Sequence, residues 1–195
     1  MARRSKGLQF YKKRKRISVG LIKEIANWVF LGALAVLLAF VFVYSVGIKT
    51  SVIGVSMEPC LYNGQSVLIN KVIYSITEPK RGDVVVFLPN GNENSHLYIK
   101  RVIGLPGEKV TIQDGRILID GYFYEEDEHF DTIEDGGIAE ATVLLGEDEY
   151  FVLGDNRNNS EDSRSANIGP VHIDMIIGKA WFHMASEEEP MGPIK

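Results

Sequence analysis

From Ile25 to Ile48 the chain runs for 24 residues without a charged side chain, "IANWVFLGALAVLLAFVFVYSVGI". A helix rises about 1.5 Å per residue, so this run covers about 36 Å, enough to cross a hydrocarbon core of about 30 Å with some tilt. Trp28 and Tyr44 lie toward its two ends, where amphipathic rings favour the membrane interface. A cleaved secretory signal also joins a basic start to an apolar run. Its apolar core is only about 7 to 15 residues long, however, and "SVGIKTS" is a poor small-x-small cleavage site. The run at 25–48 is therefore expected to be an uncleaved transmembrane helix.

Charge supplies an orientation. Residues 1–25 carry nine Lys/Arg and one acid, whereas the other 170 residues carry twelve Lys/Arg and 25 Asp/Glu. Positive charge before a first span keeps that end in the cytoplasm, so 1–24 is expected to be a basic cytoplasmic segment and residues 49–195 to lie outside the cell membrane. Alone, "MARRSKGLQFYKKRKR" would suit a nucleic-acid arm. The span that follows makes the lipid bilayer the expected partner and leaves no nucleic acid. A single cysteine forms no internal disulfide and no thiolate zinc cluster. His96, His129, His172 and His183 lack the spacing of a metal helix, there is no HExxH, and each reads as a surface or packing residue. No metal or cofactor is expected.

Beyond the span the chain reads as strands. "QSVLINKVIY", "DVVVFL", "LYIKRVIGL", "KVTIQDGRILIDG", "EYFVLGD" and "IIGKAWFHM" are rich in β-branched and aromatic residues and are separated by Gly, Pro, Asn and Asp. Asp114-Gly115 between two apolar runs predicts a type I′ hairpin, which needs positive φ at both central residues. With so few helices to cover a sheet, the expected class is mainly β, an antiparallel folded or partly closed sheet over 49–185. A loop-rich acidic insert is expected at about 124–149 and an acidic flexible tail at 186–195.

One stretch, "SMEPCL" at 56–61, sets a serine before Met-Glu-Pro, and three more are too polar or too glycine-rich for plain strands: "RGDVVVF" at 81–87, "YIKRVIGLPGE" at 98–108 and "GDNRNNSEDSR" at 154–164. The last has no apolar side chain in eleven residues, which suits a solvated turn or a hydrogen-bonded network bracing a site. Ser56 is a candidate nucleophile, and a serine hydroxyl needs a base within hydrogen-bond reach. Lysine serves when a dry apolar site disfavours its ammonium form. Lys100 lies in an apolar strand, Tyr98, Lys100 and Val102 on one face and Ile99, Arg101 and Ile103 on the other, and the pattern leaves open which face is buried. Cys60 as nucleophile would need its own base and a lowered pKa, and the sequence identifies neither.

In this order, after one span, the four stretches closely resemble the conserved boxes of the bacterial type I signal peptidases, a resemblance covering nearly all of 54–179 and extending to "IGKAWF". It implies a membrane-anchored serine endopeptidase with a signal-peptidase catalytic fold. By that resemblance Ser56 is the nucleophile and Lys100 the general base; Ser160 hydrogen-bonds and orients the lysine amine; Asp162 and Arg164 form a supporting ion pair. Met57 and Pro59 shape the turn that presents Ser56 and the edge against which substrate lies. Asp155, Asn156 and Arg157 are structural. The Ser56 backbone N–H is the natural oxyanion donor. Some members add a hydroxyl two residues before the nucleophile, where this chain has Gly54; Cys60 and Glu108 also depart from the usual threonine and aspartate. The implied partners are signal peptides of exported preproteins, cut after a small-x-small motif through an acyl-enzyme, with the export machinery a further partner.

Ser56 follows Ile48 by eight residues, so even a fully extended connector reaches about 28 Å, which keeps the nucleophile near the membrane surface. Two other readings share parts of this pattern. An anchored noncatalytic β-domain binding a cell-surface partner would not need both Ser56 and Lys100. A self-cleaving Ser-Lys protease of the SOS-repressor kind would have a DNA-binding domain where the span stands.

Overall fold

The structure, a computed structural model, describes residues 19–46, 48–91, 96–126 and 130–194. Residues 1–18 of the basic segment, His129 and the side chain of Tyr44 lie outside it. The chain separates into two units, residues 1–41 and 42–195.

The first unit is helical. Helix α1 (Val19–Val46) starts six residues before the expected span, taking in Lys23 and Glu24, and its side chains from Val19 to Val41 are exposed on every side. A helix apolar all round finds its complement in lipid rather than water. It stops short of Ile48 because that residue opens a strand instead.

The second unit is built of short strands: β1 (Ile48–Ser51), β2 (Ser66–Asn70), β3 (Val84–Phe87), β4 (Tyr98–Gly104), β5 (Lys109–Gln113), β6 (Arg116–Ile119), β7 (Tyr122–Phe123), β8 (Val143–Leu144), β9 (Glu149–Leu153), β10 (Val171–His172), β11 (Ile176–His183) and β12 (Gly192–Pro193). The larger sheet runs β1-β2-β11-β3-β4-β9-β10 with β12 on β11, and the smaller runs β7-β6-β5-β8. Every pair is antiparallel, and the mainly β class read from the sequence is the class observed.

The β5–β6 turn has Asp114 at φ 51° and Gly115 at φ 72°, with Gln113 opposite Arg116, as a type I′ hairpin requires. A second Asp-Gly pair, Asp120 and Gly121, repeats the device and folds β6 into β7. Pairing of β11 with both β2 and β3 slips by a residue, and so does β4 with β9 at Val102/Gly104, bending the larger sheet.

Apolar side chains cover both faces of the central strands. Val84 and Val86 join Met57, Leu61, Ile69 and Ile99 in one cluster, while Val85 and Phe87 join Val102, Tyr150 and Val152 in another. A strand buried on both faces loses the alternation that marks a one-sided sheet. A third cluster fills the smaller sheet, and residues of the 124–149 region enter it: Ile133, Ala139 and Leu145 are buried there. The tail expected to be flexible is tied back at its end. Gly192 and Pro193 pair with His183 and Phe182, the Ile194 N–H donates to the Trp181 carbonyl at 3.0 Å, and Ile194 packs against the first cluster. Apolar contact and two ladder positions outweigh the acidic, Pro/Gly composition on which mobility was expected. His183 is buried beside this strand and accepts from Gln65 Nε2 at 2.9 Å.

Candidate active site

Ser56 follows β1 at the start of a tight turn, in which the Glu58 N–H donates to the Val55 carbonyl and the Leu61 N–H to the Met57 carbonyl. Met57 and Leu61 are wholly buried, so the turn is pinned by its apolar side chains while Ser56 stays partly exposed. Lys100 comes from β4 with 3% of its surface exposed, and its Nζ lies 2.6 Å from Ser56 Oγ. Burial pushes the Lys100 pKa down to about 8, against the opposing pull of Asp162, Asp155 and Glu161, and the Arg164 charge lowers it further. Among the described residues no carboxylate pairs directly with the amine. A dry lysine without a counterion gives up its proton most readily.

The two basic residues of β4 have opposite fates. All positions from Ile99 to Gly104 are buried, so the question of which face is covered has the answer that both are. Arg101 points away from Lys100 and meets Asp155 in a two-pronged pair, Nε to Oδ1 at 2.8 Å and one terminal nitrogen to Oδ2 at 2.6 Å. Its partner Asp155 is 2% exposed. This pair carries the polar loop 154–164 onto the strand that holds the lysine. Arg101 was not singled out from the sequence; a second base inside an apolar strand, with an aspartate in the polar loop, was the available signal.

The loop grips Ser56 by its backbone. The Asn156 N–H donates to the Ser56 carbonyl at 3.1 Å, and Asn156 Nδ2 donates to the Val55 carbonyl at 3.2 Å. Gly154 lies so close that a Cβ there would come within 2.4 Å of the Ser56 carbonyl oxygen and 2.2 Å of Ser160 Oγ. Asp162, 1% exposed, gathers the rest: it accepts from Arg164 Nε and a terminal nitrogen, both at 2.8 Å, from the Gly154 N–H at 3.1 Å and from Ser160 Oγ at 2.8 Å. Arg164 in turn donates to the Arg157 carbonyl at 2.5 Å, and Arg157 is held by both Glu126 oxygens at 2.6 Å.

Ser160 departs from its expected role. Its hydroxyl donates to the Asp162 carboxylate at 2.8 Å, and no hydrogen bond joins it to Lys100, whose amine meets Ser56 instead. Pro59 is exposed and lies off the wall of the cavity beside Ser56, whereas Met57 lines it. That cavity, about 300 Å³, is walled by the 52–57 segment, by residues 96–100, and by Asn159 and Glu161. The Ser56 N–H makes no hydrogen bond among the described residues, while the Gly54 N–H is taken by Asn63 Oδ1 at 2.9 Å. Cys60 is half-buried and packs against the first apolar cluster. Glu108, longer than the usual aspartate, closes its turn by accepting from the Leu105 N–H at 2.8 Å and reaches Arg81 at 2.5 Å.

Comparison with known proteins matches residues 25–185 to the family described as signal peptidase, peptidase S26. Signal peptidase I T of Bacillus subtilis is 37% identical over 76% of this chain and 79% of its own. Signal peptidase IB of Staphylococcus aureus is 32% identical over 82% of this chain and 89% of its own. The crystal structure of a signal peptidase I from Enterococcus faecalis, 33% identical, aligns with 53% of this chain and 97% of its own at a TM-score of 0.41.

Proposed function

Because the chain belongs to the peptidase S26 signal peptidases, serine proteases that remove signal peptides, we propose that Ser56 and Lys100 are its catalytic dyad. The observation that carries this is the 2.6 Å contact between Ser56 Oγ and a buried lysine amine whose pKa is lowered to about 8. Family membership sets aside the noncatalytic binding domain and the repressor-like protease.

Neutral Lys100 accepts the Ser56 proton as Oγ attacks the scissile carbonyl. The ammonium so formed returns the proton to the leaving amine, and water activated by the same amine then hydrolyses the acyl-enzyme. The Ser56 N–H is the donor for the oxyanion; Gly54 has no hydroxyl and its own N–H is already engaged. Asp162 with Arg164, and Asp155 with Arg101, are positioning pairs that hold the loop against the Ser56 backbone. Ser160 belongs with them and acts through Asp162.

Substrate is proposed to enter as an added strand. Strand β9 pairs with β4 only from Arg101 onward, which leaves the edge at Tyr98–Lys100 without a strand on that side among the described residues. An extended peptide laid there passes the apolar wall made by Ile53, Val55, Met57 and Ile99, which suits the small side chains of a small-x-small motif. Helix α1 is the proposed single membrane anchor, with the basic N-terminal segment cytoplasmic and the β unit extracytoplasmic. The bilayer and, during secretion, the export machinery are the proposed partners besides preproteins.

The test is cleavage of a labelled preprotein in detergent by wild type, Ser56→Ala, Lys100→Ala and Cys60→Ser, with folding checked by circular dichroism. Loss of cutting in the first two variants alone is expected. A folded Ser56→Ala protein that still cuts at the same bond would overturn the assignment.

A further inference from the structure

The cavity beside Ser56 carries one charge that the dyad chemistry does not use. Glu161 stands on its wall, between Ser160 and Asp162, and is exposed. Its Oε2 accepts from the Tyr98 hydroxyl at 3.0 Å, and the Tyr98 ring centroid lies 5.6 Å from Lys100 Nζ. The carboxylate is therefore one aromatic ring away from the reacting groups, on the strand edge proposed for substrate. Its second oxygen has no hydrogen-bond partner among the described residues. The loop cannot readily swing it away, because both neighbours are fixed through the Asp162 network.

Nearby carboxylates are already spent, Asp162 on Arg164 and Asp155 on Arg101. The other ionisable groups on the cavity wall are Tyr98, a phenol whose pKa is raised by burial and by its bond to Glu161; Lys100, which must be neutral to act as base; and His96. A substrate bound to the active form thus meets a wall whose standing charge is that of Glu161.

We propose that Glu161 determines specificity by charge: where the bound chain passes Tyr98, a basic substrate side chain is favoured and an acidic one disfavoured. This rests on the reading of the Ser56–Lys100 cavity as the proteolytic site. A unit charge met at a half-solvated surface some 6 Å away changes kcat/KM by about three- to tenfold.

The test uses the full-length enzyme in detergent and peptides with a small-x-small site carrying Lys, Gln or Glu at one position at a time on either side of the scissile bond. Alkaline buffer is used, where an ordinary imidazole is uncharged. For wild type, the Lys-to-Glu ratio of kcat/KM should exceed unity at one position and shrink as salt is raised. Glu161→Gln, which still accepts from Tyr98, should bring that ratio toward unity, and Glu161→Lys should invert it. The ratio is the readout, so an overall loss of rate in a variant does not decide the matter, and the salt series on wild type needs no variant. A wild-type ratio near unity at every position, or one that survives in Glu161→Gln, overturns the proposal. Cleavage of the Gln peptide by wild type but not by Ser56→Ala keeps the dyad reading intact in either case.

Discussion

Gly154→Ala adds a methyl group where the nucleophile's own backbone stands. The new Cβ would lie 2.4 Å from the Ser56 carbonyl oxygen, 2.2 Å from Ser160 Oγ and 2.6 Å from Ser160 Cβ, and separations under 3.0 Å are essentially never found. Ser160 is tied to Asp162 and the Ser56 carbonyl to the Asn156 N–H, so neither neighbour is a loose side-chain end. Opening the Ser56 contact alone takes about 0.6 Å of movement, and a displacement of about 1 Å at reacting atoms costs about a hundredfold in rate. The expected result is a fall in kcat/KM on the order of ten- to a hundredfold, with an overpacking cost of about 1–3 kcal/mol in stability. Preprotein cleavage under single-turnover conditions measures the first and urea unfolding of the same sample the second. If Gly154→Ala cleaves within about twofold of wild type, the loop does not set the position of Ser56 and the chain of contacts from Asp162 to the nucleophile has no catalytic meaning.

Activity is expected to rise with pH at unit slope through about 8, where Lys100 loses its proton, and to level off above; a kcat/KM profile checks this. The same lowered value has a stability sign: between about 8 and the ordinary lysine value of 10.5 the unfolded chain holds a proton that the folded one has lost, so stability rises with pH across that window, and the increment should vanish in Lys100→Met measured by urea unfolding. Asp155→Ala removes the carboxylate paired with the buried Arg101 guanidinium and should cost about 3–5 kcal/mol by denaturant titration. Deleting residues 186–195 removes β12 and the Ile194 contact and should destabilise the β unit by about 1–3 kcal/mol, seen as a lowered thermal midpoint.

What could be read from the residues follows how local the cause is. The Asp114-Gly115 hairpin was legible because a type I′ turn is decided by two backbone angles and the residues that tolerate them. Strands β2, β3, β4, β9 and β11 were legible from β-branched runs, yet the order in which they pair, with β11 between β2 and β3, depends on contacts 89 to 116 residues apart. Strand β1 was hidden because Ile48 continues the apolar run of the span, and β12 because two residues carry no periodicity. At the site, Ser56 and Lys100 could be named, but alternation could not say which side of β4 was covered; burial of both faces made that question unanswerable from pattern. That the Ser160 hydroxyl meets Asp162 and not Lys100 depends on how the loop sits against β4, which spacing does not encode.

Strand β4 makes the order of two neighbouring residues matter as much as their presence. Exchanging them, Lys100→Arg with Arg101→Lys, conserves composition, net charge and the number of buried cations, and leaves a cation to meet Asp155. It also sets beside Ser56 a guanidinium that holds its proton at any working pH. Such an inverted twin would keep the substrate groove while lacking a base, a decoy able to bind preproteins without cutting them and so, after cross-linking, to report which ones the enzyme meets at the membrane.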